Sequence, residues 1–338
     1  MNPSLRRRLL GGLAFGFLVI LTLALITDIR KVGDRLADFN WVLLPLILSG
    51  TLFNYSLRFL KFHYYLAQIG AGWLGWRRSL KLFVAGFPLA VTPGKVGEAL
   101  KAVWLKQETG APVARGVTVV LAERISDGLA VLALSTVGVI SYPRYWPAFA
   151  AVLAFLVFLV VISQIRPLAL WILHHLVRLP LVGRLSAHLL EFYEGAYALF
   201  RPFPTLVAVS LGTVAWFGEG LGFYLVLLGL GVAPGAGTLS IAVFTLAFST
   251  IVGAVSALPG GLGAAELSIT GMLSLLLGLD AGTAATATLI IRFATLWFGV
   301  GLGLLVWTRA RDWLLLEPRS KRSDILTPSG PRTEFEAS

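Results

Sequence analysis

The chain has 338 residues, 57% of them hydrophobic and 13% charged, with a net charge of +11 and a mean hydropathy of +0.82. Soluble domains average roughly 25% charged residues, so this balance places most of the chain in lipid. There is no cysteine, which excludes disulfides, thiolate metal sites and cysteine nucleophiles. The basic residues flank apolar runs instead of forming one basic domain, which excludes a DNA-binding domain and suits an anionic leaflet.

At the amino terminus Arg6, Arg7 and Arg8 precede an apolar run, Leu9–Thr27. That run is longer than the apolar region of a signal peptide. It ends in Asp28, Arg30 and Lys31 without a small-residue cleavage site, so a retained anchor is expected. A hydrocarbon core about 30 Å thick needs about 20 helical residues. Six stretches qualify: Leu9–Thr27, Trp41–Leu60, Gly116–Ile140, Pro147–Gln164, Leu206–Leu230 and Thr283–Trp307.

Two further apolar pieces, Leu80–Val91 and Thr238–Leu258, run into Pro-Gly breaks at Thr92-Pro93-Gly94 and Leu258-Pro259-Gly260-Gly261. Short helical patterns follow, over Lys95–Lys106 and Ala264–Leu277. Neither half is comfortably long enough for a lone span, which predicts re-entrant hairpins, although Thr238–Leu258 could just cross. The expected fold is all-α, a polytopic membrane protein with six full spans and two re-entrant helical hairpins.

Two segments are not spans. Val182–Arg201 sets Arg184, His188 and Glu191 against Leu185, Leu189 and Phe192, the pattern of an amphipathic helix along the inner interface. Residues 311–338 are polar and are expected to form a disordered cytoplasmic tail after a transmembrane domain over 1–310. Arginine and lysine concentrate in alternate loops, so the positive-inside rule predicts a multi-pass protein of the cell (cytoplasmic) membrane with both termini cytoplasmic.

The sequence also repeats itself. Pro93-Gly94-x-x-Gly97-Glu98 resembles Pro259-Gly260-x-x-Gly263-x-x-Glu266. One offset of 168 then aligns Glu98 with Glu266, Gly110 with Gly278, Thr118 with Thr286 and Arg124 with Arg292. Three full spans separate the copies, and an odd number inverts orientation. An inverted repeat is expected, one copy over about 9–140 and the other over about 147–308.

Arg124 and Arg292 lie about 12–14 Å into their spans at 1.5 Å per residue. An arginine or aspartate at such depth costs about 2.5–3.5 kcal/mol, so these groups must face one another or a wet cavity. Glu123 and Asp127, four apart on one helix face, add to the cluster. Thr92 can cap a helix starting at Pro93, and amide groups at such a terminus attract anions, phosphate above all. The two breaks, converging with Lys95, Lys101, Arg124 and Arg292, would make a phosphate-binding cavity. Glu98 and Glu266 would pair with the cations, recognise an amino group or carry a proton. A purely structural ion-pair network is the alternative. Arg58 and Lys61, at the inner end of the second span, read as interfacial anchors or lipid-headgroup contacts. Glu219 lies mid-span near the repeat counterpart of Asn54, with a helix–helix hydrogen bond and a functional role both open.

Thr92-Pro93-Gly94-Lys95-Val96-Gly97-Glu98, Glu123-Arg124-x-x-Asp127, and Pro259-Gly260-Gly261-Leu262-Gly263 with Glu266 and Arg292 resemble the flippase-like transmembrane domain. That domain is the membrane region of lysylphosphatidylglycerol synthase/flippase proteins. The resemblance covers roughly residues 9–310. In full-length relatives a soluble transferase domain makes aminoacyl-phosphatidylglycerol and the membrane region moves it outward. Only about 30 residues follow the last span here, so the transferase is expected to be absent.

The resemblance implies translocation or binding of an anionic or aminoacylated phospholipid or lipid-linked headgroup. It implies no enzyme activity, no catalytic residue, no metal and no cofactor. The absence of a G-x-x-x-x-G-K-[ST] loop leaves gradient-driven or equilibrium movement. The alternatives are a membrane enzyme or accessory subunit acting on polyprenyl-phosphate-linked sugars, and a non-catalytic scaffold. The partners implied are a membrane phospholipid or lipid-linked substrate and no nucleic acid; a separate lipid-modifying enzyme and a homo-oligomer stay open.

Overall fold

The computed structural model describes residues 3–26, 29–92, 97–141, 146–177 and 186–309. Pro93, Gly94 and Lys95, Arg184 and Leu185 of the expected amphipathic helix, and the 311–338 tail lie outside the described residues. The protein is an all-α polytopic membrane protein. In chain order its helices are α1 (Pro3–Ile26), α2 (Ile29–Asp38), α3 (Leu44–Gln68), α4 (Trp76–Ala85), α5 (Ala99–Thr109), α6 (Val113–Ser141) and α7 (Trp146–Gln164). They continue as α8 (Arg166–Val177), α9 (Ser186–Leu199), α10 (Pro202–Gly229), α11 (Ala236–Val255), α12 (Ala264–Leu277), α13 (Ala281–Arg292) and α14 (Phe298–Arg309).

Among the described residues, five helical stretches are long and apolar enough to cross a membrane: Trp41–Gln68, Pro202–Gly229, Ala236–Val255, Pro259–Leu277 and Ala281–Arg309. Both arms of the second break are in that set, so length and composition alone let each cross. The first break differs, because α4 has 10 residues and α5 has 11. Two helices were not expected from sequence. α2 buries Val32 against the cluster that holds Ala285, and α8 follows α7 with only Ile165 between them.

Segments related by the offset of 168 have similar backbones. α6 has 29 residues, and the helix Ala281–Arg309 also has 29; their first residues are 168 apart, the offset read from the sequence. The helices before them, α5 and α12, each end on a left-handed glycine, Gly110 (φ 73°) and Gly278 (φ 63°). Thr118 and Thr286 are both fully buried. The copies diverge after the arginine. Phe293–Trp297 forms a π-helical turn between α13 and α14, and the Tyr55 hydroxyl of α3 donates to the Thr295 carbonyl there. Such turns are rare and mark functional positions in helices.

Packing depends on small residues, because lipid supplies no hydrophobic drive between helices. α10 lies along α3 through Gly218 and Gly222, which meet Gly50 and Ile47. A β-carbon on Gly50 would lie 2.9 Å from the Gly218 carbonyl oxygen. Gly50→Ala is therefore expected to force the helices apart and cost about 1–3 kcal/mol. An unchanged thermal unfolding midpoint in detergent would show that the crossing yields freely.

α6 is the hub, packing on α5, α7, α9, α10 and α11. α9 does not simply lie along an interface. It seats Gly195, Ala196 and Leu199 inward against α6, and Arg115 on α6 pairs with Glu191 at 2.5 Å.

Candidate functional site

The turn that leads into the first break meets the second break. A 3₁₀ turn, Phe87–Val91, leads into the first break and another, Pro259–Gly261, forms the second, and the two turns are in contact. Thr92 braces the first: its hydroxyl donates to the Leu89 carbonyl (2.6 Å) and accepts from the Gly97 amide (3.1 Å). The second turn needs its glycines, since Gly260, Gly261 and Gly263 hold φ of 62°, 67° and 87°, a region open to glycine but strained for other residues.

Glu266, three residues into α12's first turn, accepts from the Gly263 amide (2.7 Å) through one oxygen and from Arg292 Nε (2.6 Å) through the other. Arg292 also donates to the Gly260 carbonyl at 2.9 Å. This corrects the expectation that the start of α12 offers open amides to phosphate. Its own carboxylate already occupies the anion position there, as a capping residue does.

Around the breaks lies a cavity of about 510 Å³. Its charged wall carries Arg58, Glu98, Lys101, Glu123, Arg124, Asp127, Glu219 and Arg292. Glu123 and Asp127 do not share a partner. Glu123 binds Lys101 at 2.8 Å, whereas Asp127 binds Lys61 at 2.5 Å and Arg58 at 3.0 Å. Arg124 faces Glu98 at 3.3 Å.

The two arginines of the repeat differ in freedom. Arg124 has 42% of its side chain exposed and Arg292 14%; Arg292 is held by Glu266 and by the Gly260 carbonyl, and Arg124 by one carboxylate. Apolar lining comes from Val152, Phe155 and Leu156 of α7 and from Ile251, Ala254 and Val255 of α11. Phe149, Val152, Leu153 and Leu156 of α7 share a hydrophobic cluster with Phe244, Phe248 and Ile251 of α11. Phe155 and Val255 both line the cavity and are exposed, so its apolar lining reaches the outer surface at these residues.

Of the residues singled out in sequence, Arg58, Glu98, Lys101, Glu123, Arg124, Asp127, Gly260, Gly261 and Arg292 line this cavity. Gly97, Glu266 and Gly263 hold the breaks behind it, and Pro259 opens the second turn. Lys61 is a correction. It is not at an interface but fully buried, donating to Asp127 Oδ1 and, at 3.1 Å, to Ser126 Oγ. Arg58 is likewise no interfacial anchor; it lines the cavity, 5.6 Å over the Trp216 ring. Tyr55 and Trp216 join the lining unforeseen. The available signal was spacing: each stands three residues before a charged residue of its own helix, Arg58 and Glu219.

A membrane-crossing helical bundle whose charged side chains turn inward onto a chamber, with apolar faces outward, defines a polytopic membrane protein with a buried polar site. The chain belongs to the family described as the lysylphosphatidylglycerol synthase TM region, whose model matches residues 9–303. It is similar to a UPF0104 membrane protein of Methanothermobacter thermautotrophicus (strain Delta H), 26% identical over 334 residues, covering 92% of this chain and 96% of the relative. No solved structure matches it.

Proposed function

We propose that the chain binds the polar headgroup of an anionic or aminoacylated phospholipid, or of another lipid-linked molecule, and moves it across the cell membrane. It acts as a flippase-like lipid transporter, not an enzyme. The carrying observation is a cavity lined both by charged side chains and by apolar ones that reach the outer surface. An amphiphile needs both surfaces at once: cations and carboxylates for its headgroup, and an exit through which its tails stay in lipid. Family membership supports a membrane role of this kind.

In this reading the broken segments are re-entrant hairpins of an inverted repeat, both termini are cytoplasmic, and movement exposes the charged wall to each leaflet in turn. A separate lipid-modifying enzyme supplies aminoacylated substrate where that is the cargo, and a homo-oligomer is compatible with the outward apolar faces.

The test is reconstitution into vesicles carrying fluorescently labelled phosphatidylglycerol, with headgroup crossing read by a membrane-impermeant quencher. Crossing is expected with the wild-type chain and should fall to the level of protein-free vesicles in Thr250→Trp, which fills the cavity from its apolar lining. Crossing equal to that of protein-free vesicles for the wild type, with every labelled lipid tried, would overturn the reading.

A further inference from the structure

Four acidic side chains around the cavity are neutralised by cations: Glu98 by Arg124, Glu123 by Lys101, Glu266 by Arg292, and Asp127 by both Arg58 and Lys61. Glu219 differs. It lines the cavity and is 5% exposed. It forms no ion pair among the described residues, and its Oε2 is buried without a hydrogen-bond partner. An ionised carboxylate so placed is costly unless a counter-charge or a proton accompanies it.

The pairing locates the counter-charge. Five described cations face four paired acids, and the surplus sits where two cations share Asp127. One of those two is Arg58, whose guanidinium lies over the ring of Trp216. Trp216 and Glu219 are three residues apart on α10, hence on one helix face. The unpaired carboxylate and the surplus cation therefore share a wall, one helical turn apart.

The other titratable groups that elements packed on α10 bring to the cavity lining are Tyr55 from α3, Glu123, Arg124 and Asp127 from α6, and Arg292 from α13. α11 brings no titratable side chain. Backbone movement cannot easily withdraw Glu219, because Gly218 and Gly222 on either side of it are locked against α3.

We infer that Glu219 is a proton-binding site linked to anion binding: ionised, it balances the surplus charge at Arg58, and protonated, it releases Arg58 to the anionic group of a lipid headgroup. The inference rests on the headgroup-binding reading above. One anion bound takes up one proton, so the cavity passes from one electrically balanced state to another without a bare charge at low dielectric. Where Glu219 is ionised in the empty protein and protonated in the loaded one, affinity for the anion falls tenfold for each unit rise in pH, the limit set by one linked proton.

The experiment is calorimetric titration of the full chain in detergent with dihexanoyl phosphatidylglycerol. It is run between pH 5 and pH 9 in buffers of different ionisation enthalpy, which count protons directly. Uptake approaching one proton per lipid is expected, lost in Glu219→Gln, which should bind with no pH dependence, and kept in Glu219→Asp. The wild-type proton count stands even if a variant fails to fold. Lipid binding with no proton uptake at any pH, or uptake unchanged in a folded Glu219→Gln, would overturn the linkage while leaving headgroup binding in place. No wild-type binding at all overturns the headgroup reading and this inference with it. Inorganic phosphate titrated in parallel separates the sources of the anion, since uptake with phosphate at equal affinity would overturn the lipid assignment.

Discussion

Asp127→Leu is expected to destabilise the protein by about 3–5 kcal/mol, the usual cost of leaving a buried charge without its partner. Lys61→Met should cost far less. The asymmetry follows from the triad's geometry. Lys61 has 1% of its side chain exposed and reaches only Asp127 and the Ser126 hydroxyl, while Asp127 holds Lys61 and Arg58 together. Without the carboxylate, two cations on adjacent turns of α3 repel in a low-dielectric interior, and Lys61 has no path to water. Without Lys61, Asp127 keeps Arg58 at 3.0 Å and the site returns to one cation per acid. The double variant Lys61→Met with Asp127→Leu should recover most of the loss, since Arg58 can turn to the cavity it already lines. Tryptophan fluorescence during thermal unfolding in detergent reads all three. Equal shifts in the two single variants would show that the carboxylate is not the keystone of the triad.

That triad also marks where sequence reading stops. The breaks, the offset of 168 and the charged residues that line the cavity are legible because each is written locally: a Pro-Gly step, a closing glycine, a charge inside an apolar run. Lys61 was misplaced because the apolar run ends near Leu60, whereas α3 continues to Gln68 and carries Lys61 inside the bundle. Its partner is 66 residues away, and no local pattern announces it.

Glu123 and Asp127 share a helix in sequence, but which cation each takes is fixed by the rotation of α3 and α5 about α6. The double duty of Glu266, ion pair and cap together, depends on a backbone turn that only the folded glycines make. α2 and α8 were missed for a different reason. Each is short, 10 and 12 residues, below the length at which an isolated helix holds without packing, although Ile29, Val32 and Leu36 of α2 do fall at helical spacing.

The repeat makes Arg124 and Arg292 equivalent in sequence, yet their replacement by alanine is expected to fail in different ways. Arg292 satisfies Glu266 and the Gly260 carbonyl, and the Glu266 carboxylate is 3% exposed. Arg292→Ala orphans that buried carboxylate and loosens the turn at Pro259–Gly261, a loss of about 3–5 kcal/mol, seen as a lower unfolding midpoint and less monodisperse protein. Lysine cannot replace it fully, because one ammonium does not reproduce the fork that meets both partners.

Arg124 has a single partner at 3.3 Å and points its exposed part into the cavity. Arg124→Ala also orphans Glu98, whose side chain is 9% exposed. The clean test is therefore Arg124→Ala with Glu98→Gln, which should leave the midpoint nearly unchanged and lower headgroup crossing about 10- to 100-fold per folded protein, the worth of one charge-assisted hydrogen bond to a headgroup. Adding Glu266→Gln to Arg292→Ala discriminates further: removing the orphaned charge should restore stability, as Gln can still accept from the Gly263 amide. If Arg124→Ala with Glu98→Gln instead unfolds the protein as readily as Arg292→Ala, both arginines are bolts of the scaffold. The anion must then be met by Arg58 and Lys101, the other cations on the charged wall.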